Sequence, residues 1–170
     1  MNLMNTKKQH DFTYYSSPVG RLCLVANEQG LTGVFFDEHA HHQHDADWIF
    51  NSSNAVFKLT ALQLDEYFAG QRQQFDVPLA PSIGTAFQLQ VWATLRSISY
   101  GETWSYKQLS LAIGNPKAVR AVGAANGRNP LSIIVPCHRV IASSGALQGY
   151  AGGVAQKVKL LELENLHFAQ

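Results

Sequence analysis

The run Ser105-Tyr106-Lys107-Gln108-Leu109-Ser110-Leu111-Ala112-Ile113-Gly114-Asn115-Pro116-Lys117-Ala118-Val119-Arg120-Ala121-Val122-Gly123-Ala124-Ala125 reads as two helices around a tight corner. Ser105 with Gln108 forms a capping box, Leu109, Ala112 and Ile113 supply the apolar positions of a short helix, and Gly114 ends it. Asn115 offers the next cap, and Pro116 suits the first turn of a helix running from Lys117 to about Ala125. This is helix-turn-helix spacing, which plain packed helices share with DNA readers. What favours a DNA reader is the second helix: Ala118, Ala121, Gly123, Ala124 and Ala125 leave little bulk, while Lys117 and Arg120 carry charge. A helix that smooth can lie close against a duplex.

Working outward, Thr85 and Gln88 make another capping box for a helix with Phe87, Val91, Trp92, Leu95 and Ile98 on its core side. Residues 71–84, with Pro78, Pro81 and Gly84, read as a linker. Before it, a helix from about Asn54 to Ala69 has Val56, Leu59 and Leu62 on one side and Gly70 as its stop. Residues 12–36 read as three short strands, Phe12 to Tyr15, Leu22 to Val25 and Leu31 to Phe36, separated by turn-rich segments. The histidines between His39 and His44 have the composition of a metal site without a fixed ligand geometry, and a solvated loop is the expected state. On the other side of the helix pair, the β-branched run Leu131 to Val135 reads as a buried strand ended by Pro136. Cys137 and His138 follow. The pair reads either as a thiol nucleophile beside its base or as a buried structural cysteine beside a surface histidine.

The expected fold class is α+β, with a small sheet-containing N-terminal lobe and its linker over residues 1–81 and a helical C-terminal lobe with the helix-turn-helix over residues 82–170. No stretch approaches the ~20 apolar residues of a membrane span, and the polar start Met1 to Asp11 lacks a signal-peptide centre. Two distant cysteines make neither a disulfide framework nor a metal knuckle, so a reducing, cytoplasmic setting is expected. Residues 1–81 carry five Lys/Arg against nine Asp/Glu, and residues 82–170 carry eight against three. A polyanion would therefore meet the C-terminal half.

Pro136-Cys137-His138-Arg139-Val140-Ile141 resembles the active-site signature of the O6-alkylguanine-DNA alkyltransferases, the methylated-DNA-protein-cysteine methyltransferases. Gly114 to Gly123 resembles that family's helix-turn-helix, Asn129-Pro130 its asparagine turn, Gly149-Tyr150-Ala151-Gly152-Gly153 its pocket loop, and Lys157 to Glu164 its closing helix. The likeness is dense over residues 85–166 and looser in the N-terminal lobe.

The resemblance implies that Cys137 accepts the alkyl group of O6-alkylguanine, with O4-alkylthymine as a further substrate class, once and irreversibly. It implies that His138 draws the thiol proton through a water, that Glu164 orients the imidazole, and that Asn129 braces the site. Tyr106 would press on the target phosphate and protonate the leaving guanine at N3. Arg120 would replace the extruded nucleotide, and Lys117, Ala118 and Arg128 would contact DNA. The Val140 backbone, Tyr150 and Ala151 would line the guanine pocket. The chemistry implies no cofactor and no metal, and the expected partner is duplex DNA met by a monomer. Two positions depart from relatives: Asn27 stands where some hold zinc with a cysteine, and Ala151 stands where some carry serine. The rival readings are a lesion binder without transfer, against which the cysteine argues, a transcription factor, and a cysteine hydrolase, for which no oxyanion-hole signal is present.

Overall fold

The computed structural model describes residues 8–38 and 44–166. The β-forming segments fold into antiparallel strands β1 (Asp11–Ser17), β2 (Gly20–Asn27) and β3 (Gly30–Phe36), joined by two-residue loops. The second loop is fixed by Asn27, whose Oδ1 accepts the Gln29 N–H at 2.8 Å, and by Gly30 at φ 137°, where a Cβ would fall 2.5 Å from the Pro78 carbonyl oxygen. A two-residue strand that the sequence pattern does not reveal, β4 (Ile49–Phe50), pairs in parallel with β1 and gives the order β3-β2-β1-β4. Residues 39–43 of the histidine-rich segment lie outside the described residues; His44 packs edge-on against Phe12.

Helix α1 (Ala55–Phe68) starts where Asn54 Oδ1 accepts the Val56 N–H at 2.9 Å. Its buried side differs from the expected one. Phe57, Thr60, Leu64 and Tyr67 face the core, while Leu59 and Leu62 are exposed. Phe57, Leu64 and Tyr67 recur seven and three residues apart, and the two aromatic rings bury more apolar surface than the leucines would. The linker is pinned to the lobe rather than free: Gln63 exchanges two hydrogen bonds with the Asp76 backbone, and Leu31 exchanges two with Pro78 and Ala80.

In the C-terminal lobe α2 (Ala86–Leu95) and α3 (Tyr106–Ala112) begin at the two capping boxes, both complete. Val91, Trp92, Leu95, Ile98, Leu109 and Ile113 are buried, whereas Ala112 faces solvent. Helix α4 (Val119–Gly127) starts two residues later than expected, because Pro116 and Lys117 are used in the turn and the Ala118 N–H bonds the Asn115 carbonyl at 3.0 Å. Leu131 to Val135 is not a strand. Ile133 lies at φ 73°, the Val135 N–H closes onto the Leu131 carbonyl at 2.8 Å, and the contact with a strand is one isolated parallel bridge, Leu131 with Val34. The β-branched run reported burial, which all five residues show, and not extension.

A single 3-10 turn, Cys137–Arg139, leads into β6 (Val140–Ile141), which pairs in parallel with β5 (Trp104–Ser105), and α5 (Val154–Leu163) is the last helix among the described residues. One apolar core runs from Leu22, Leu24 and Phe57 of the first lobe to Trp92, Val122 and Leu160 of the second. Backbone bonds also cross the lobes, from the Val34 N–H to the Pro130 carbonyl at 2.9 Å and from the Ser132 N–H to the Val34 carbonyl at 3.2 Å.

Candidate active site

The turn after Asn129 places a sulfur. Asn129 Oδ1 accepts the Leu131 N–H at 3.0 Å, and its Nδ2 donates to the Val135 carbonyl at 2.8 Å and to Cys137 Sγ at 3.1 Å. One buried amide thus crosses the loop and fixes the thiol in place. Burial pushes the Cys137 thiol up, while the Asn129 donor and the positive charge of Lys157 pull the other way. The net direction is up, so the resting group is a thiol and its proton must leave before or during any attack.

An ionisable ring lies next in the chain. His138 Nε2 is 2.8 Å from Glu164 Oε1, with both side chains fully buried. Burial alone would raise the Glu164 carboxyl, but hydrogen bonds from His138 and Arg139 outweigh it and bring the group down to about 2. Glu164 is therefore ionised, Nε2 carries the shared hydrogen, and Nδ1, which bonds no atom among the described residues, is left as the acceptor. Burial lowers the basicity of His138, and Glu164 partly restores it. Arg139 fixes the carboxylate through Nε at 2.8 Å and Nη2 at 2.9 Å, with Nη1 on the Ile98 carbonyl at 2.7 Å. Lys157 Nζ donates to the Val140 carbonyl at 2.6 Å and the Gln148 carbonyl at 3.3 Å, and burial lowers this amine to about 8.

A cleft of about 450 Å³ opens between α3, α4 and the glycine loop, lined by Tyr106, Gly123, Ala124, Gly127, Gln148, Gly149, Tyr150 and Ala151. The pairing of β5 with β6 ties Tyr106, the first residue of α3, to the strand that leaves the cysteine turn. Burial, and after it a negative charge on Cys137, pushes the pKa of both Tyr106 and Tyr150 up, so each phenol holds its proton. Of the expected pocket residues, Tyr150 and Ala151 line the cleft. Val140 is fully buried beneath it, its carbonyl taken by Lys157. Lys117, Arg120 and Arg128 are exposed around α4, and Ala118 is half-buried at its start. Sequence reasoning did not reach Tyr67, whose hydroxyl donates to Glu164 Oε1 at 2.7 Å, nor the hold of Arg139 on the same carboxylate. The position of Arg139 beside the Cys-His pair was the only available signal for the second, and there was none for the first.

Fold and site together define an α+β protein that holds one braced, buried thiol beside a histidine-carboxylate pair, next to a helix-turn-helix. Residues 86–166 match the family model described as the DNA binding domain of 6-O-methylguanine DNA methyltransferase, and residues 12–81 match that described as its ribonuclease-like domain. The chain belongs to the 6-O-methylguanine DNA methyltransferase family. It is 49% identical over 149 residues to a methylated-DNA--protein-cysteine methyltransferase of Methanosarcina barkeri, covering 87% of this chain and 92% of that one. It is 42% identical over 158 residues to the Haemophilus influenzae protein of the same name, covering 92% and 87%. Among solved structures, Mycobacterium tuberculosis OGT in complex with DNA superposes with a TM-score of 0.86 at 44% identity, covering 91% of this chain and 93% of that one.

Proposed function

We infer that this chain repairs alkylated DNA by transferring the alkyl group of O6-alkylguanine to Cys137. The observation that carries the reading is the sulfur held at 3.1 Å by Asn129 and followed directly by an imidazole whose far nitrogen is tied to a buried carboxylate. In the step, Cys137 Sγ bonds the alkyl carbon as its bond to guanine O6 breaks, and the thiol proton passes through a water to His138 Nδ1. Glu164 balances the imidazolium. Tyr106, in the cleft, supplies the proton that the departing guanine takes at N3. The product is a thioether, which offers water no polarised centre to hydrolyse, so each molecule reacts once.

The target base has to leave the duplex, because a sulfur this buried cannot reach O6 within the stack. The cleft beside Tyr150 and Ala151 receives the base, and Arg120 fills the gap from the exposed side of α4. Lys117, Ala118 and Arg128 contact the backbone. The protein acts as a monomer in the cytoplasm, on duplex DNA; two free, buried thiols suit a reducing compartment. The test is mass spectrometry of the intact protein after mixing with a duplex containing O6-methylguanine. One methyl group, mapped to Cys137, is expected, and an unmodified protein with intact lesion binding would replace transfer by recognition alone.

A further inference from the structure

Tyr67 lies on α1, in the lobe without the cysteine site, 97 residues from Glu164 in the chain. Its ring is fully buried and sits near Phe68, Phe75 and Tyr100, with centroids 5.2, 5.4 and 6.1 Å away. Packing alone would be served by phenylalanine, since a buried hydroxyl costs free energy unless it is paired. Here it is paired, with the oxygen that also takes His138 Nε2 at 2.8 Å and Arg139 Nη2 at 2.9 Å. We infer that Tyr67 is a positioning residue for alkyl transfer: by donating to Glu164 Oε1 it weakens the carboxylate's hold on the protonated His138 ring, so that the ring remains a neutral acceptor for the Cys137 proton.

The inference rests on the reading of His138 as the base. An oxygen with three donors spreads its charge over all of them, and each added donor lowers what it returns to the others. Burial and then the charge of Glu164 push the pKa of the Tyr67 phenol far up, so it keeps its proton and stays a donor throughout the working range. The other ionisable groups around the pair are Cys137 and Arg139 on the 3-10 turn, Lys157 from α5, Tyr100 from the turn before β5 and Tyr150 from the loop before α5. Tyr100 donates instead to the Leu163 carbonyl and Lys157 to backbone carbonyls, which leaves Tyr67 and Arg139, among the described residues, as the partners that compete with His138 for the carboxylate. Arg139 also anchors the carboxylate's other oxygen, so loss of Tyr67's hydroxyl would change the charge at Oε1 without freeing Glu164.

Tyr67→Phe keeps the ring and removes only that donor. Oε1 then becomes more basic, the imidazolium is better stabilised, and His138 gives up its proton at higher pH. The acid limb of the single-turnover methyl-transfer rate should move up by about one pH unit, a rate loss of up to roughly tenfold on that limb, with the plateau above it kept. The 15N resonances of the His138 ring, followed in DNA-free protein, should show the same upward move of their titration midpoint. A second variant carrying a fluorinated tyrosine at position 67 donates more strongly and should move both readouts down; it decides the matter if Tyr67→Phe does not fold. An unmoved limb and midpoint, or a uniform rate loss with an unmoved pH profile, would reduce Tyr67 to a packing residue. If the native chain transfers no methyl group to Cys137, the functional reading fails by that result, while the His138 midpoint still decides what Tyr67 does to the pair.

Discussion

Each lobe buries one cysteine, and the two sulfurs sit in opposite kinds of interior. Cys23 lies on β2, on the face away from the shared core, where burial and the charge of Asp37 push its thiol up to about 11 despite nearby Arg21. Cys137 is more deeply enclosed, yet it has an amide donor at 3.1 Å and the charge of Lys157 working against its burial. The difference extends to the lobes. Among the described residues, the buried polar side chains of the N-terminal lobe are Thr13, Thr60 and Gln63, with the Tyr67 hydroxyl directed at the other lobe. The C-terminal lobe buries Asn126, Asn129, His138, Arg139, Lys157 and Glu164 around one turn. The first lobe satisfies its backbone by regular ladders and can afford an apolar interior; the second gives up regular structure to hold charge out of water, which is where chemistry is to be expected.

That contrast is tested most severely at the sulfurs. Cys137→Ala should abolish methyl transfer from an O6-methylguanine duplex while lesion binding, measured by a mobility shift, persists; Cys23→Ala should still end with one methyl group per molecule by mass spectrometry. Transfer that survives the first change would remove the distinction between the two sites. Next in size is Arg120→Ala. Its rate on duplex DNA should fall on the order of tenfold or more, because unstacking a base costs a few kcal/mol. Its rate with free O6-benzylguanine should barely change, and equal losses on both would move Arg120 from base extrusion to pocket support.

A third comparison sets a charge against a hydrocarbon. Glu164→Gln leaves Arg139 buried without its ion partner and should cost about 3 to 5 kcal/mol in denaturant unfolding. Leu24→Ala in the N-terminal lobe should cost about 2 to 5 kcal/mol, with the transfer rate per folded molecule unchanged. Only the first should alter the acid side of the stability curve. The Glu164 carboxyl is depressed in the fold from 4.5 to about 2, so its stabilisation is complete above the unfolded value and is lost as pH falls through that interval. The smallest effect belongs to Lys157→Met. The amine's folded value is lowered from 10.5 to about 8, the unfolded chain therefore binds more protons between these values, and native stability should gain there as pH rises. The methionine variant should lack that gain, as thermal melts across the interval would show.

The two lobes were also unequally legible in the sequence. Short-range chemistry read true: the boxes at Thr85/Gln88 and Ser105/Gln108 are made within four residues, and the three antiparallel strands stand where their β-formers do. Leu131 to Val135 misled because apolar β-branched composition is common to buried strands and buried turns, and the amide that bends the chain belongs to Asn129, outside the run. The inner side of α1 misled because Leu59 and Leu62 fit a helical period as well as Phe57, Leu64 and Tyr67 do, and only the sheet beneath chooses between them. Cys137, His138 and Glu164 were legible through their resemblance to a family. Tyr67 carries no local mark, since its meaning is a hydrogen bond to a residue 97 positions away.

The bonds that fasten Pro130 and Ser132 to Val34 have a bearing on self-association. An open strand at the border of a sheet is a template on which a second molecule can lay its own backbone. Here the outer side of β3 is taken near its start by Pro78 and Ala80 and further along by Pro130 and Ser132, while the opposite border of the sheet is the two-residue β4. The chain thereby occupies its own aggregation-prone border with the segment that shapes the cysteine turn. Resistance to edge-to-edge stacking therefore leans on a handful of backbone bonds in the very segment that seats Cys137, and whatever loosens that turn also uncovers a strand border.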